Sequence, residues 1–278
     1  MKKKLRISLI LLIAGIIFCA VALSFVGFDF SKLDSSGYTT ETFVAETDFL
    51  DIRIHANTSD VRFAVSDDLS CKVVSRHKDY MAFTAEIKDS VLVIRETDQR
   101  QWYEHIGIHW GDGGVMTVYL PKGTYCNLFA ETDTGDITVP KDYTFANAQL
   151  STDTGDIRYY GGLEGDLKAE VDTGDIILKD IHTPGNITLE ADTGNLKLHD
   201  VICENLKIET DTGDVKLSKC DAGAIDATTD TGDISGSLLT DKIFIVDNST
   251  GKVIIPESTS GGKCKLDTST GDIKITID

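Results

Sequence analysis

Eight glycines, at positions 135, 155, 174, 194, 213, 232, 251 and 271, follow one another at intervals of 19 or 20 residues through the second half of this 278-residue chain. Each sits in a copy of one short pattern. Asp-Thr-Gly-Asp-Ile occupies 133–137 and 153–157, it or a close variant returns at 172–176, 192–196, 211–215 and 230–234, and weaker copies begin at Ser249 and Ser269. A period this short and regular marks a repeat architecture, in which no unit can bury its own apolar face and each holds its shape only against its neighbours.

Within a copy, apolar or small residues lie three, five and seven places before the glycine, as Thr210, Ile208 and Leu206 do before Gly213, and two and four places after it, as Val215 and Leu217 do. Polar residues such as Lys207, Glu209 and Lys216 alternate with them. A period of two is that of a half-buried strand, so each repeat reads as two short strands meeting at an Asp-Thr-Gly-Asp corner. Glycine suits a corner with φ above zero, and aspartate can accept hydrogen bonds from turn amides. Stacked copies would share one core. The resulting expectation is an all-β fold, a single-stranded parallel β-solenoid of about eight 19–20-residue rungs, roughly 38 Å long at about 4.8 Å per rung. An antiparallel meander is the alternative, and it would set the two aspartates of each corner opposite each other, which is unfavourable.

The columns of this stack place several residues. Ile181, Val201, Cys220 and Leu239 stand seven places after successive glycines; Leu128, Leu167, Ile187, Leu206, Ile225, Phe244 and Cys264 stand seven places before. Cys220 and Cys264 are therefore expected as small core residues. Cys203 and Cys220 could meet across adjacent turns, a pairing that geometry must decide. The last copy ends on Ile273, Ile275 and Ile277 with nothing after it to close the stack, an expected open edge.

Residues 49–126 are less regular. Leu50–Ile54, Val61–Val65, Cys71–Ser75, Val91–Arg95 and Val115–Leu120 read as strands, and Asn57-Thr58-Ser59-Asp60-Val61 resembles a degraded corner, with 66–114 as a cap or side excursion. Residues 31–48 read as a linker or first edge, and 127–278 as the repeat body.

The first thirty residues differ in kind. Lys2, Lys3, Lys4 and Arg6 precede an uncharged run from Ile7 to Phe28, which as a helix would span roughly 33 Å, enough for one transmembrane crossing with the N-terminus in the cytoplasm and the rest outside. A cleaved signal peptide is the competing reading, because Ala20-Val21-Ala22 offers small residues at the end of a shorter apolar stretch. Both readings export the remainder. The bulky Phe18 before Cys19 argues against a lipoprotein signal.

The chain carries 27 basic and 45 acidic residues. Such a surface repels nucleic acid and anionic lipid, and makes divalent cations or basic partners the better company. Five cysteines follow the apolar run, an odd number, and no CxxC or Cys/His spacing of a metal site is present.

Val118-Tyr119-Leu120-Pro121-Lys122, followed by the first Asp-Thr-Gly-Asp-Ile and then by tandem copies, resembles the bacterial β-strand-repeat family labelled "putative adhesin", a domain of unknown function. Similar ectodomains occur in membrane-anchored proteins of Gram-positive envelope-stress operons. The resemblance covers roughly residues 45–278. It implies a β-solenoid at the cell surface and supplies no catalytic or binding residue.

Asp-Thr-Gly is also the aspartic-protease signature, but that chemistry needs two copies in apolar surroundings, whereas this triplet recurs six times with a corner role for each. Stacking would instead align Asp133, Asp153, Asp172, Asp192, Asp211 and Asp230 in one column and Asp136, Asp156, Asp175, Asp214 and Asp233 in a second. Neighbouring carboxylates at about 4.8 Å repel by roughly 0.9 kcal/mol in water, so the first column is a candidate Ca²⁺ site. Trp102, Tyr103 and Trp110 form an aromatic segment suited to stacking on a glycan or anchoring a protein, while His105 and His109 would lie about 13 Å apart on a strand. The expected function is a non-enzymatic surface interaction module, with an envelope-stress component acting through membrane partners as the alternative and a β-helix hydrolase disfavoured.

Overall fold

The apolar alternation becomes strands, and the strands stack. The computed structural model describes residues 37–101 and 113–278, and among them all regular structure is β. Tyr38–Asp98 and Gly113–Asp278 form one compact unit; the other, Met1–Gly37 with Gln99–Asp112, falls almost wholly outside the described residues. The apolar run Ile7–Phe28 lies outside them too. Among the described residues no helix is long and apolar enough to cross a membrane.

In chain order the strands begin with β1 (Tyr38–Val44), β2 (Asp51–Ala56), β3 (Asp60–Val65), β4 (Lys72–Lys78), β5 (Met81–Lys88), β6 (Val91–Asp98) and β7 (Val115–Leu120). The regular part follows as β8 (Gly123–Thr134), β9 (Ile137–Val139), β10 (Tyr143–Thr154), β11 (Ile157–Tyr159), β12 (Gly162–Leu163), β13 (Leu167–Thr173), β14 (Ile176–His182) and β15 (Asn186–Thr193). It continues with β16 (Leu196–Thr212), β17 (Val215–Thr231), β18 (Ile234–Leu238), β19 (Lys242–Thr250), β20 (Val253–Ile254), β21 (Gly262–Thr270) and β22 (Ile273–Ile277). Strands before each glycine build one face, and strands after it the other. β16 and β17 run through the opposite corner and contribute to both.

The pairing is parallel and nearly in register. Leu206 lies beside Ile187 on one side and Ile225 on the other, and Leu196 beside Ile176 and Val215. Leu206, Ile208, Thr210, Val215 and Leu217 are buried, because in a parallel stack every inward position of one rung meets an inward position of the next. Where the chain offers a threonine instead of an aliphatic residue, the buried hydroxyl donates to the glycine carbonyl of a neighbouring rung: Thr152 to Gly135 at 3.1 Å, Thr229 to Gly213 at 3.0 Å and Thr268 to Gly232 at 3.0 Å. A buried hydroxyl left without an acceptor would be costly.

The stacking order departs from sequence order at both ends. β2 and β3 form a rung directly on β8 and β9, with the amide of Thr134 donating to the Asn57 carbonyl at 2.8 Å, so Asn57–Val61 is a true corner. The chain then leaves through β4 and β5 and returns as β6 and β7, which lie on the far side of β2 and β3. The segment 66–114, expected as a cap or side excursion, thus also supplies β6, which with β7 just after it makes the outermost rung. This end is finished by antiparallel pairing, β5 on β6, β4 on β7 and β1 on β4. At the other end, β21 and β22 insert between the rung of β17 and β18 and that of β19 and β20.

One expectation is extended and one corrected by this arrangement. The open edge falls only partly on the chain's last strand: β22 pairs with β18 along its whole length but with β20 only at Ile273 and Lys274, and among the described residues the longer uncovered strand is β19. Leu239 does not stand in the core column. Between Leu217 and Cys220 the register slips by one, so Leu238 takes the buried place and Leu239 is 36% exposed. The slip is a β-bulge, two residues of β17 facing one of β18.

Candidate functional site

The aspartate corners come first, because the sequence points to them. Gly155 has φ +147°, and a Cβ there would stand 2.1 Å from the Gly135 carbonyl oxygen; Gly213, at φ +157°, would place one 1.8 Å from the Gly194 oxygen. The corner backbones touch rung to rung, and only glycine allows the approach.

The two aspartate columns then behave differently. In the second, each carboxylate accepts from the backbone amide of the corresponding residue in the next rung. Asp136 donates to Asp60 Oδ1 at 3.0 Å, Asp156 to Asp136 at 2.9 Å, Asp175 to Asp156 at 2.8 Å, and Asn195 to Asp175 at 2.9 Å. The ladder continues with Asp214 to Asn195 at 3.1 Å, Asp233 to Asp214 at 2.9 Å, Asp272 to Asp233 at 2.7 Å and Lys252 to Asp272 at 2.8 Å. Asn195 fits because an amide oxygen accepts as a carboxylate does. Lys252 fits because its rung is the last in space, and no further amide needs its side chain. Arg158 lies 2.6 Å from Asp136, and Lys197 2.5 Å from Asp175. Burial alone would raise the pKa of Asp136 and Asp175, but these amides and cations outweigh it and hold both carboxyls below the usual range.

In the first column, Asp133, Asp153, Asp172, Asp192, Asp211 and Asp230 are all exposed. Asp133 is held above the ordinary carboxylate range by partial burial and by the charges of Asp153 and Glu131. A groove of about 340 Å³ brings Asp153, Asp172 and Asp192 beside Glu170 and Glu190. Among the described residues no three His, Cys, Asp or Glu side chains converge in a geometry that would hold a metal ion. The column is aligned as expected, but one carboxylate per rung spreads the oxygens along the stack instead of gathering six to eight around a point.

A third ladder was not foreseen. At the start of the other strands, Asn127 donates to Asp51 through its backbone and side-chain nitrogens, both at 2.9 Å; Asn147 donates to Asn127 at 3.0 Å, the Asp166 amide to Asn147 at 3.0 Å, the Asn186 amide to Asp166 at 2.7 Å, and Asn205 to Asn186 at 2.7 Å. The signal was present as Asx residues 19 or 20 apart, outside the glycine-centred window. This ladder borders a groove of about 560 Å³ whose lining includes Phe129, Gln149, Lys168 and Thr188. Phe129 is met by the His55 ring at 5.2 Å and by the Arg53 guanidinium at 5.9 Å.

This glycine-cornered double face, repeated through 49–278, is what decides the family: residues 49–161 and 159–278 each match the Toastrack DUF4097 domain. The chain belongs to the Toastrack DUF4097 family. No curated protein matches it. Among solved structures, a "putative adhesin" from Bacteroides fragilis NCTC 9343 is similar at 16% identity, covering 86% of this chain and 97% of that one, with a TM-score of 0.48. A "putative lipid binding protein" from Parabacteroides distasonis ATCC 8503 is similar at 15% identity with the same coverages and TM-score, and a "putative adhesin" from the same strain at 14% identity, 86% and 98% coverage and a TM-score of 0.32.

The remaining candidates of this Toastrack chain are structural or undescribed. Trp102, Tyr103 and Trp110, with His105 and His109, lie outside the described residues. Cys71, Cys126, Cys203, Cys220 and Cys264 are free thiols, so Cys203 and Cys220 do not form the considered disulfide. Burial pushes the thiols of Cys71, Cys203 and Cys264 up to about 12 and that of Cys220 to about 11, which keeps them protonated and poor nucleophiles. A buried polar cluster at the outer rungs escaped notice in the sequence. Glu96 accepts from Ser59 Oγ at 2.8 Å and from the amides of Asn57 and Thr58 at 3.0 and 3.3 Å, while Ser75 Oγ lies 3.0 Å from His77 Nδ1. Ser75 and His77, both on β4, are at most 1% exposed, so the pair offers no approach to a substrate.

Proposed function

We propose that the protein is a non-enzymatic surface module of the bacterial cell envelope, held to the membrane by residues 7–28 and presenting its solenoid outside the cell, where it binds a glycan on the broad face. One observation carries this reading. The second-column carboxylates are engaged by amides and cations and the buried thiols are held inert by desolvation, whereas Gln149, Thr188, Phe129 and a Lys168 paired with Glu170 line an open groove. An amide, an ammonium group, a hydroxyl and an aromatic ring on a rigid sheet suit a polyhydroxylated ligand. Rigidity supports the reading, since a platform that does not reorganise loses less on binding.

The test is binding of the purified full-length chain in detergent to cell-wall and host polysaccharides and to envelope protein fractions. Saturable polysaccharide binding that is lost in Gln149→Ala with Lys168→Ala supports the proposal. Binding only to envelope proteins would replace it with the stress-component reading, in which membrane partners are the ligands.

A further inference from the structure

The stack ends differently at its two ends. Antiparallel β1, β4 and β5 finish the end nearest Tyr38. At the far end β19 is paired, among the described residues, with β21 alone, and its segment Ile243-Phe244-Ile245-Val246 is uncharged. Ile243 is 42% exposed, Ile245 51%, Val253 44% and Ile254 55%, while Phe244 and Val246 pack on the core from one side only. A long apolar edge with unpaired backbone groups is normally covered or blunted.

We infer that a second copy of this chain covers it, the two solenoids meeting end to end about a two-fold axis with β19 pairing antiparallel to its own copy. Three observations favour this occupant. The free strand is nine residues long, enough for a two-fold pairing with its own copy to match the two edges over their full length. Charge also permits it: residues 239–278 hold five lysines and six carboxylates, against 27 and 45 in the whole chain, so the end that meets its twin is nearly neutral on an otherwise acidic molecule. Finally, the amide ladder ends on Lys252, which has no oxygen to offer another rung. A copy stacked in the same sense would leave its corner amide facing that ammonium group, whereas two-fold pairing asks for no such acceptor and closes without growing a fibre. With Ile245 on the axis, Ile245 faces its own copy and Phe244 faces Val246, which extends the core across the junction.

Sedimentation of the full-length chain in detergent, with disulfide trapping, tests the inference. The parent chain should be dimeric, Ile245→Cys should yield an oxidised dimer in excess of the parent's background, and Ile245→Lys, at an exposed site, should fold to the same β content and weaken association about tenfold or more by setting like charges opposite each other. A parent that stays monomeric at roughly tens of micromolar would overturn it. So would open-ended filaments, or a dimer that neither Ile245→Lys weakens nor Ile245→Cys traps, since that contact lies elsewhere. Loss of polysaccharide binding with the dimer intact would count against the function proposed above and leave this inference standing.

Discussion

The backbone amide of Asp272 donates to Asp233 Oδ1 at 2.7 Å, although 39 residues separate the two. Every other step of that ladder within the glycine repeats joins residues 19 or 20 apart. The doubled step is where β21 and β22 slip beneath β19 and β20, and the ladder passes the exchange without a break. A column of acceptors recognises the amide above it and not the repeat it came from.

The ladder oxygen should matter more than the charge. Asp156→Ala removes the acceptor for the Asp175 amide and a partner of Arg158, and is expected to destabilise by about 1–3 kcal/mol. Asp156→Asn should cost much less, as Asn195 already occupies the equivalent place. Denaturant titration of both variants separates the two cases, and equal losses would show that charge, not acceptance, is what the column supplies.

The corner glycines should tolerate no side chain. Gly155→Ala forces a Cβ to within 2.1 Å of the Gly135 oxygen at φ +147°, and backbone contact cannot relax as a flexible side chain would. The expected loss is about 3 kcal/mol or more, read as a lowered melting temperature or failure to fold. Wild-type stability in this variant would contradict the rung-to-rung contact.

Acid should loosen the stack through the second column. Asp136 and Asp175 are depressed in the folded protein, so their contribution is complete above the unfolded carboxylate pKa of about 3.9 and is lost as pH falls through their lower folded values. Asp133 is shifted the other way: its ionisation opposes folding above that range. Asp133→Asn should therefore leave stability at neutral pH equal or slightly higher, whereas Asp136→Ala lowers it. A melting series from about pH 7 to pH 2 on the three chains checks both signs.

Thiol reagents should find little in the folded protein. Cys71, Cys203, Cys220 and Cys264 are buried with raised pKa values, and Cys126 is partly exposed. In the 37–278 part of the native chain, labelling at neutral pH is expected at Cys126 and at the other four only after denaturation. Peptide mapping after a labelling pulse distinguishes the sites; prompt labelling of Cys203 or Cys220 would argue against the packing described.

Calcium should change stability little. The second column's oxygens already accept amides, and the first column's carboxylates lie one to a rung. Millimolar Ca²⁺ is expected to leave the melting temperature unchanged. A clear rise that disappears in Asp172→Asn with Asp192→Asn would restore the first column as a cation site.

The sequence alone determined the rung: its length, its inward positions and its glycine corner. Those follow from the period of two along a strand and from the steric needs of one backbone position, both local properties that a few neighbouring residues decide. Ile208, Val215 and Cys264 are buried as that pattern requires. What only the tertiary structure decided is how the rungs are ordered and what each aspartate does. Parallel ladders join backbone to backbone, so β21 fits against β17 as well as β19 would, and nothing local distinguishes them. Asp211 and Asp214 are three residues apart and chemically identical, yet one faces solvent and the other accepts the Asp233 amide. The difference lies in which carboxylate a neighbouring rung reaches, and that rung is set by the closure of the whole stack.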